Sequence, residues 1–240
     1  MTIITDKNRQ TLYVMIISEY GKNDMDRRIL DQCPLFRGLS DNDTAYALAF
    51  FHAREQHCRR GEQLNRTGEM MRNFGLVLTG IIHVSMDDLD GNQLLMASVT
   101  PGITFGESLC YLGMEALVSV ESVTDSTVLM MDTESLRHPA ASQTAMDIEL
   151  TRRFTAMLAE RTLRMNDRIQ VLSKLTIREK VITLLSQYTG RENTAVITLP
   201  FNREAMATYL GTNQSALSRE LRKMKDEGII RFHGSTFEIL

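Results

Sequence analysis

Five side chains near the C-terminal end of this 240-residue chain are spaced for contact with a polar surface. Gln214, Ser215, Ser218, Arg219 and Arg222 recur three and four residues apart, so a helix would gather them on one face. Each can donate to a base edge or a phosphate. Arg219 can grip guanine bidentately, and Gln214 can read adenine. The plainer alternative for Arg219 and Arg222 is a pair of solvated helix charges.

A second constellation opens FGESLCYLGMEALVSVESV at 105–123. Gly106, Glu107 and Ser108 turn the chain into a short helix-like run and then an alternating strand, the outline of a ligand cradle. A phosphate there would need a cation. From Val84 to Leu136, 53 residues, the sequence has no Lys or Arg against nine Asp and Glu.

Catalytic chemistry finds little support. His83 has no HxH partner on its strand, so no local metal triad forms. GxSxG, GxxxxGK[ST] and HExxH are absent, and nothing places a nucleophile or base beside the acid pair Glu107 and Glu121. No metal site is expected. Cys33, Cys58 and Cys110 are an odd number without a CxxC, which fits a reducing cytoplasm rather than a disulfide scaffold.

These residues need elements to hold them. NREAMATYLG reads as a helix capped by Asn202, with Met206 and Leu210 on its apolar face and Gly211 suited to a left-handed turn. Asn213 can cap a second helix, QSALSRELRKMKDE, with Leu217, Leu221 and Met224 inward and Gly228 at its end. Ala207 is short where the two helices would cross. IIRFHGSTFEIL then reads as two strands around His233-Gly234-Ser235, a wing. The whole has the spacing of a helix-turn-helix, whose second helix enters the major groove.

Upstream, NFGLVLTGIIHVSM alternates, DLDGNQ supplies an Asp-Gly hairpin turn, LLMASV resumes the strand, and Ser119 to Met131 reads as another strand. Short strands with Gly-rich turns indicate a small antiparallel barrel or jelly roll. After Pro139 the texture changes. Leu150, Phe154, Met157, Arg161, Met165, Ile169 and Leu172 recur at helical steps, predicting one helix of about thirty residues, roughly 45 Å long. Its seam suits a twin in a coiled-coil-like homodimer, with Phe154, Met157, Met165, Ile169 and Leu172 as dimerisation residues. The alternative is a helix folded back over the barrel. TLYVMIIS at 11–18 could be strand or helix, and no apolar run is long enough to span a membrane.

Net charge is −3, but residues 150–180 carry eight Lys and Arg against three acids. A globally basic nucleic-acid binder is excluded, while a locally basic helix face is not.

The order of these elements resembles the cyclic-AMP receptor protein and fumarate–nitrate regulator (CRP/FNR) family of transcriptional regulators. The motifs are CPLFRGLS at 33–40, RRGEQLNRTGE at 59–69, LTGIIHV at 78–84, PGITFGESL at 101–109, TDSTVLMMD at 124–132 and the helix-turn-helix at 202–230. The resemblance implies an α+β protein: a cyclic-nucleotide-binding-like β-barrel (jelly roll) at 31–138 after an N-terminal segment 1–30, a dimerisation helix at 139–174 and a winged helix-turn-helix at 175–240. It places Arg203 on a phosphate and Arg219 on the family's guanine-reading arginine; Ser218 matches the oxygen-sensing branch. Ser215 stands where both well-known branches have a glutamate that reads cytosine, and Gln214 replaces the cyclic-AMP branch's arginine. Asn213 and Arg222 complete the expected contacts with double-stranded DNA, on a palindrome of two half-sites.

In the cyclic-nucleotide branch an Arg-Ser pair follows the Gly-Glu and meets the cyclic phosphate; here Ala116 and Leu117 occupy those positions. Cyclic AMP is therefore not the expected effector, since a desolvated phosphate without a counter-charge is costly. The effector site expected from Gly106, Glu107, Ser108, Ala116, Leu117 and Arg161 suits a small, mostly apolar or weakly anionic metabolite; an effector-free regulator is the plainer reading. Three scattered cysteines cannot hold the iron–sulfur cluster of the oxygen-responding kind within one subunit. No cofactor is expected, although haem remains an alternative through His52, His57, Cys58, His83 or Cys110. A thiol switch at Cys58, beside Arg59 and Arg60, is another. A non-enzymatic cytoplasmic regulator follows, with RNA polymerase as a partner if it activates. A protein-docking module is the competing class.

Overall fold

The computed structural model describes residues 24–87, 93–192 and 194–240, in two compact units divided between Leu158 and Ala159. The run TLYVMIIS and the Asp90-Gly91 turn lie outside the described residues.

In the first unit, helices α1 (Asp24–Leu30) and α2 (Asp41–Phe50) precede strands β1 (Arg54–Cys58), β2 (Gln63–Asn65) and β3 (Phe74–Thr79). Next come β4 (Ile82–Asp87), β5 (Gln93–Val99), β6 (Thr104–Phe105), α3 (Glu107–Leu112), β7 (Ser119–Ser122), β8 (Ser126–Met131) and α4 (Glu134–Arg137). The strands form two four-stranded sheets, ordered β1-β8-β3-β6 and β2-β7-β4-β5, a jelly-roll-like arrangement. β3 lies between β8 and β6 with Phe74 to Leu78 all buried, a run without alternation that suits a strand covered on both faces. Any side chain at Gly75 would overlap the Phe105 ring, so only glycine lets β6 lie this close.

The single strand expected over Ser119 to Met131 is two. β7 pairs with β4 in one sheet and β8 with β3 and β1 in the other. The chain switches layers at Val123–Asp125, where Ser122 Oγ lies within hydrogen-bonding distance of Thr124 O (2.8 Å) and Ser126 Oγ (2.7 Å). The Ser and Thr that looked like strand formers satisfy the polar groups of this crossing.

Helix α5 (Ala145–Leu172) starts later than Pro139. Its boundary is a capping box: Thr144 N–H donates to Asp147 Oδ2 (2.8 Å) and Asp147 N–H donates to Thr144 Oγ1 (3.1 Å). Leu150, Phe154 and Met157 are buried in the core of their own unit. The Phe154 ring lies 5.8 Å from Phe74, 6.2 Å from Phe51 and 5.7 Å from Tyr111. Phe154 and Met157 are therefore core residues, a correction to their expected place in a dimer seam: this half of the helix is folded back on the barrel. Met165 (61% exposed), Ile169 (60%) and Leu172 (41%) remain open.

The second unit takes the rest of α5 together with α6 (Ile177–Glu192), β9 (Val196–Thr198), α7 (Arg203–Tyr209), α8 (Gln214–Asp226), β10 (Ile230–His233) and β11 (Thr236–Ile239). Its core gathers Val171, Val181, Leu184, Ile197, Leu210 and Phe237 under a three-stranded sheet ordered β10-β11-β9. No helix among the described residues is long and apolar enough to cross a membrane.

Phe154→Ala is expected to cost about 3–5 kcal/mol of folding stability through the cavity it leaves. Chemical denaturation of the full chain measures that cost, and sedimentation should show an unchanged oligomeric state.

Candidate nucleic-acid interface

The reading head is built by two caps and a tight turn. Asn202 Oδ1 accepts from Ala205 N–H (2.8 Å) to start α7. Gly211 then takes φ +61°, and a Cβ there would sit 3.1 Å from Leu172 Cδ2, so the turn admits glycine on both conformational and steric grounds. Lys180 Nζ donates to Leu210 O (3.1 Å) at the end of α7. Asn213 Oδ1 accepts from Ala216 N–H (2.8 Å) to start α8. Met206, Ala207, Leu217, Leu221 and Met224 are buried between the helices and the rest of the unit.

That burial leaves Gln214, Ser215, Ser218, Arg219 and Arg222 exposed together. Behind them, Arg178 of α6 donates to Glu220 Oε1 and Glu227 Oε2, both at 2.7 Å, tying the middle and end of α8 to its neighbour. The Arg178 hydrogen bond holds Glu227 below the ordinary carboxylate range, and the pair raises Arg178 in turn.

Arg203 has a structural task as well as an expected phosphate contact. Its Nη2 donates to Gly234 O at the wing tip (3.0 Å), and its guanidinium lies over the Phe232 and Phe237 rings at 5.2 and 5.5 Å. Burial lowers its pKa. Lys225 Nζ lies 5.6 Å from the Phe232 ring. A concavity of about 420 Å³ is lined by Arg203, Arg222, Lys225, Phe232 and Asp226 among others, and another of about 420 Å³ by Ser218, Arg219, Arg222, Lys223, Asp226 and Glu227. Arg and Lys side chains thus flank the row of small polar ones, with Asp226 and Glu227 at the C-terminal end of α8, so the cations available to phosphates lie beside side chains that can meet base edges. Asn213 is engaged as a cap, with Ser215 Oγ donating to the same Oδ1 (2.8 Å).

Sequence reading missed α6 and β9. A Thr-x-x-Glu box marks the start of α6: Thr176 N–H donates to Glu179 Oε2 (3.0 Å) and Glu179 N–H donates to Thr176 Oγ1 (3.2 Å). β9 is only three residues and owes its strand character to pairing with β11.

In the first unit, Gly106 takes φ +82° before α3, and Glu107 is buried, accepting from Thr104 Oγ1. Ser108 is exposed. Ala116 is buried and pairs through its backbone, its N–H donating to Glu69 O and its carbonyl accepting from Gly68 N–H, both at 2.8 Å. Leu117 is 65% exposed. Arg161 belongs to the second unit.

Residues 55–142 match the cyclic nucleotide-binding domain and residues 179–240 the Crp-like helix-turn-helix domain. The cyclic AMP receptor protein of Thermus thermophilus is 25% identical over 217 residues, covering 86% of this chain and 92% of its own. The transcriptional activator protein FnrL of Cereibacter sphaeroides is 25% identical over 189 residues, covering 75% and 73%. The chain belongs to the CRP/FNR family. A solved regulatory protein from Silicibacter pomeroyi DSS-3, 20% identical and covering 90% of this chain and 94% of its own, shares the fold with a TM-score of 0.52. The protein is thus a CRP/FNR-type transcriptional regulator with a helix-turn-helix DNA-binding domain, and its relatives are not enzymes.

As a CRP/FNR regulator it is poorly equipped for a thiol switch. Burial pushes Cys33 up to about 12 and raises Cys110. At Cys58, burial and then the Glu62 carboxylate raise the thiol, a correction to the expectation that Arg59 and Arg60 would lower it. Two of the three histidines considered for haem have side-chain partners: His52 Nδ1 lies 3.0 Å from Asp132 Oδ1, and His57 Nδ1 lies 3.1 Å from Thr127 Oγ1. No group of three or more His, Cys, Asp or Glu among the described residues could hold a metal ion.

Alkylation by iodoacetamide at pH 8 should run roughly tenfold or more slower on the native protein than on a free cysteine, and become fast on denaturation. Mass spectrometry of the three cysteines measures both rates.

Proposed function

We propose that this regulator acts as a homodimer that reads a palindromic operator with α8 in the major groove. A small effector other than cyclic AMP, held by the first unit, biases DNA binding. The observation that carries this reading is the single exposed face of Gln214, Ser215, Ser218, Arg219 and Arg222 on a helix whose opposite side is buried. Operator half-sites about one helical turn apart would match two such helices related by a dyad.

The dimer is supported by a second stripe on α5. Ile148, Leu158, Met165, Ile169 and Leu172, interleaved with Thr151, Thr155 and Thr162, repeat strictly at three- and four-residue steps, and all are exposed except the half-buried Leu158. This is a heptad seam offset from the buried Leu150–Phe154–Met157 stripe, with small hydroxyl residues in its first half and larger apolar ones in its second. The effector assignment rests on Ala116 and Leu117, which offer a cyclic phosphate no counter-charge. α5 supplies a physical link for control, since its two halves belong to the two units. A ligand moves such an equilibrium only through different affinities for its two states. Cyclic AMP should therefore leave operator affinity unchanged.

Arg219→Ala is expected to lose about 1–3 kcal/mol of discrimination per half-site and to abolish operator preference. Electrophoretic mobility or fluorescence anisotropy with selected duplexes measures it, and wild-type affinity in the variant would refute the assignment. Wild-type binding should weaken by roughly a thousandfold or more between about 50 and 200 mM salt. Ile169→Glu places a charge in the proposed seam, and sedimentation should show it as a monomer with operator affinity lost.

A further inference from the structure

The cap of α8 fixes more than the helix start. Ala216 N–H can only donate, so the Asn213 atom 2.8 Å away is its carbonyl oxygen, Oδ1, and not its amide nitrogen. The Ser215 hydroxyl oxygen lies 2.8 Å from the same Oδ1. An amide carbonyl carries no proton, so the Ser215 proton must lie between the two oxygens. Both lone pairs of Oδ1 are then filled. The exposed Ser215 Oγ keeps only lone pairs for any outside partner.

We propose that the Asn213 cap makes Ser215 an obligate hydrogen-bond acceptor toward DNA, so that it selects an amino base, adenine or cytosine, over a keto base, guanine or thymine, at one position of each half-site. The inference rests on the proposed major-groove docking of α8 and names a specificity determinant within it. The first residues of a recognition helix meet base edges, and Ser215 is the second residue of α8. In the major groove the only donors are adenine N6 and cytosine N4; guanine and thymine present acceptors there. In the major groove every base pair presents one amino group, so an acceptor-only hydroxyl reads which strand bears it rather than which pair is present. Turning the Ser215 proton outward to meet a keto oxygen would break the bond to Oδ1. The preference is therefore modest, roughly three- to tenfold, the scale of one net hydrogen bond.

The test starts from duplexes with randomised half-sites, selected by the wild-type full chain. The four bases are then compared at every half-site position for wild type and Ser215→Ala. One position should favour adenine and cytosine together by about three- to tenfold, and Ser215→Ala should flatten that position alone. A preference for guanine or thymine at the position that Ser215→Ala flattens would overturn the proposal, as would an unchanged base profile in Ser215→Ala. Failure of the wild type to select any sequence would overturn the regulator's docking mode itself, a distinct result. Circular dichroism of the variant confirms that α8 is still formed.

Discussion

The burial of Leu217, Leu221 and Met224 governs what this protein can present to a partner. These three lie on one stripe of α8, and removing them from water is worth several kcal/mol together, since a fully buried Leu or Met contributes roughly 1.5–3 kcal/mol. With that stripe committed, the rotation of α8 about its axis is set, and the residues from Gln214 to Arg222 that lie opposite have only solvent to face. Ala207 permits the close crossing, Gly211 the turn, and Arg178 adds two charge-assisted hydrogen bonds on the flank of the helix. The wing is then tied to the same assembly by Arg203, whose guanidinium holds Gly234 O while lying over two rings. A side chain expected to meet phosphate is thus also a strut between α7 and the wing.

The same logic of stripes explains α5. At 3.6 residues per turn, a helix can carry one apolar stripe for its own unit and a second, rotated from it, for something else. Leu150, Phe154 and Met157 form the first stripe and are buried. The second stripe repeats more regularly than the first, and its residues are exposed along most of the helix. An exposed row of Met165, Ile169 and Leu172 on a monomer surface is a cost in water that a twin helix would remove.

Legibility in the sequence followed the range of the interactions that fix each element. The helix-turn-helix was readable nearly residue by residue, because caps at Asn202 and Asn213, the left-handed Gly211 and a 3–4 apolar spacing are all local. The jelly-roll class was readable from alternation and turns, but the layer switch at Val123–Asp125 was not. Its Val and Thr have high strand propensity, and only the hydroxyl network shows that the chain turns there. The two stripes of α5 merged in the sequence, because steps of three and four can be threaded from Met157 into Met165 without revealing that the face has changed. Cys58 shows the same limit for electrostatics. Sequence neighbours Arg59 and Arg60 suggested a lowered thiol, whereas burial and Glu62 raise it.

The Gly106-Glu107 pair illustrates how a motif can persist for reasons of fold. Gly106 adopts a backbone that a Cβ would strain, and Glu107 accepts from Thr104 at the start of α3. Both roles hold the turn between β6 and α3, so the pair does not by itself indicate a nucleotide. The discriminating positions are Ala116 and Leu117. Ala116 is buried and fixed by backbone pairing with Gly68 and Glu69, so its place in the turn is set by the main chain. The sequence supplies methyl and isobutyl groups at these two positions, within a stretch that carries no positive charge from Val84 to Leu136. In the function proposed above, that chemistry suits a ligand with little anionic character better than a cyclic phosphate, since a desolvated phosphate without a counter-charge is costly.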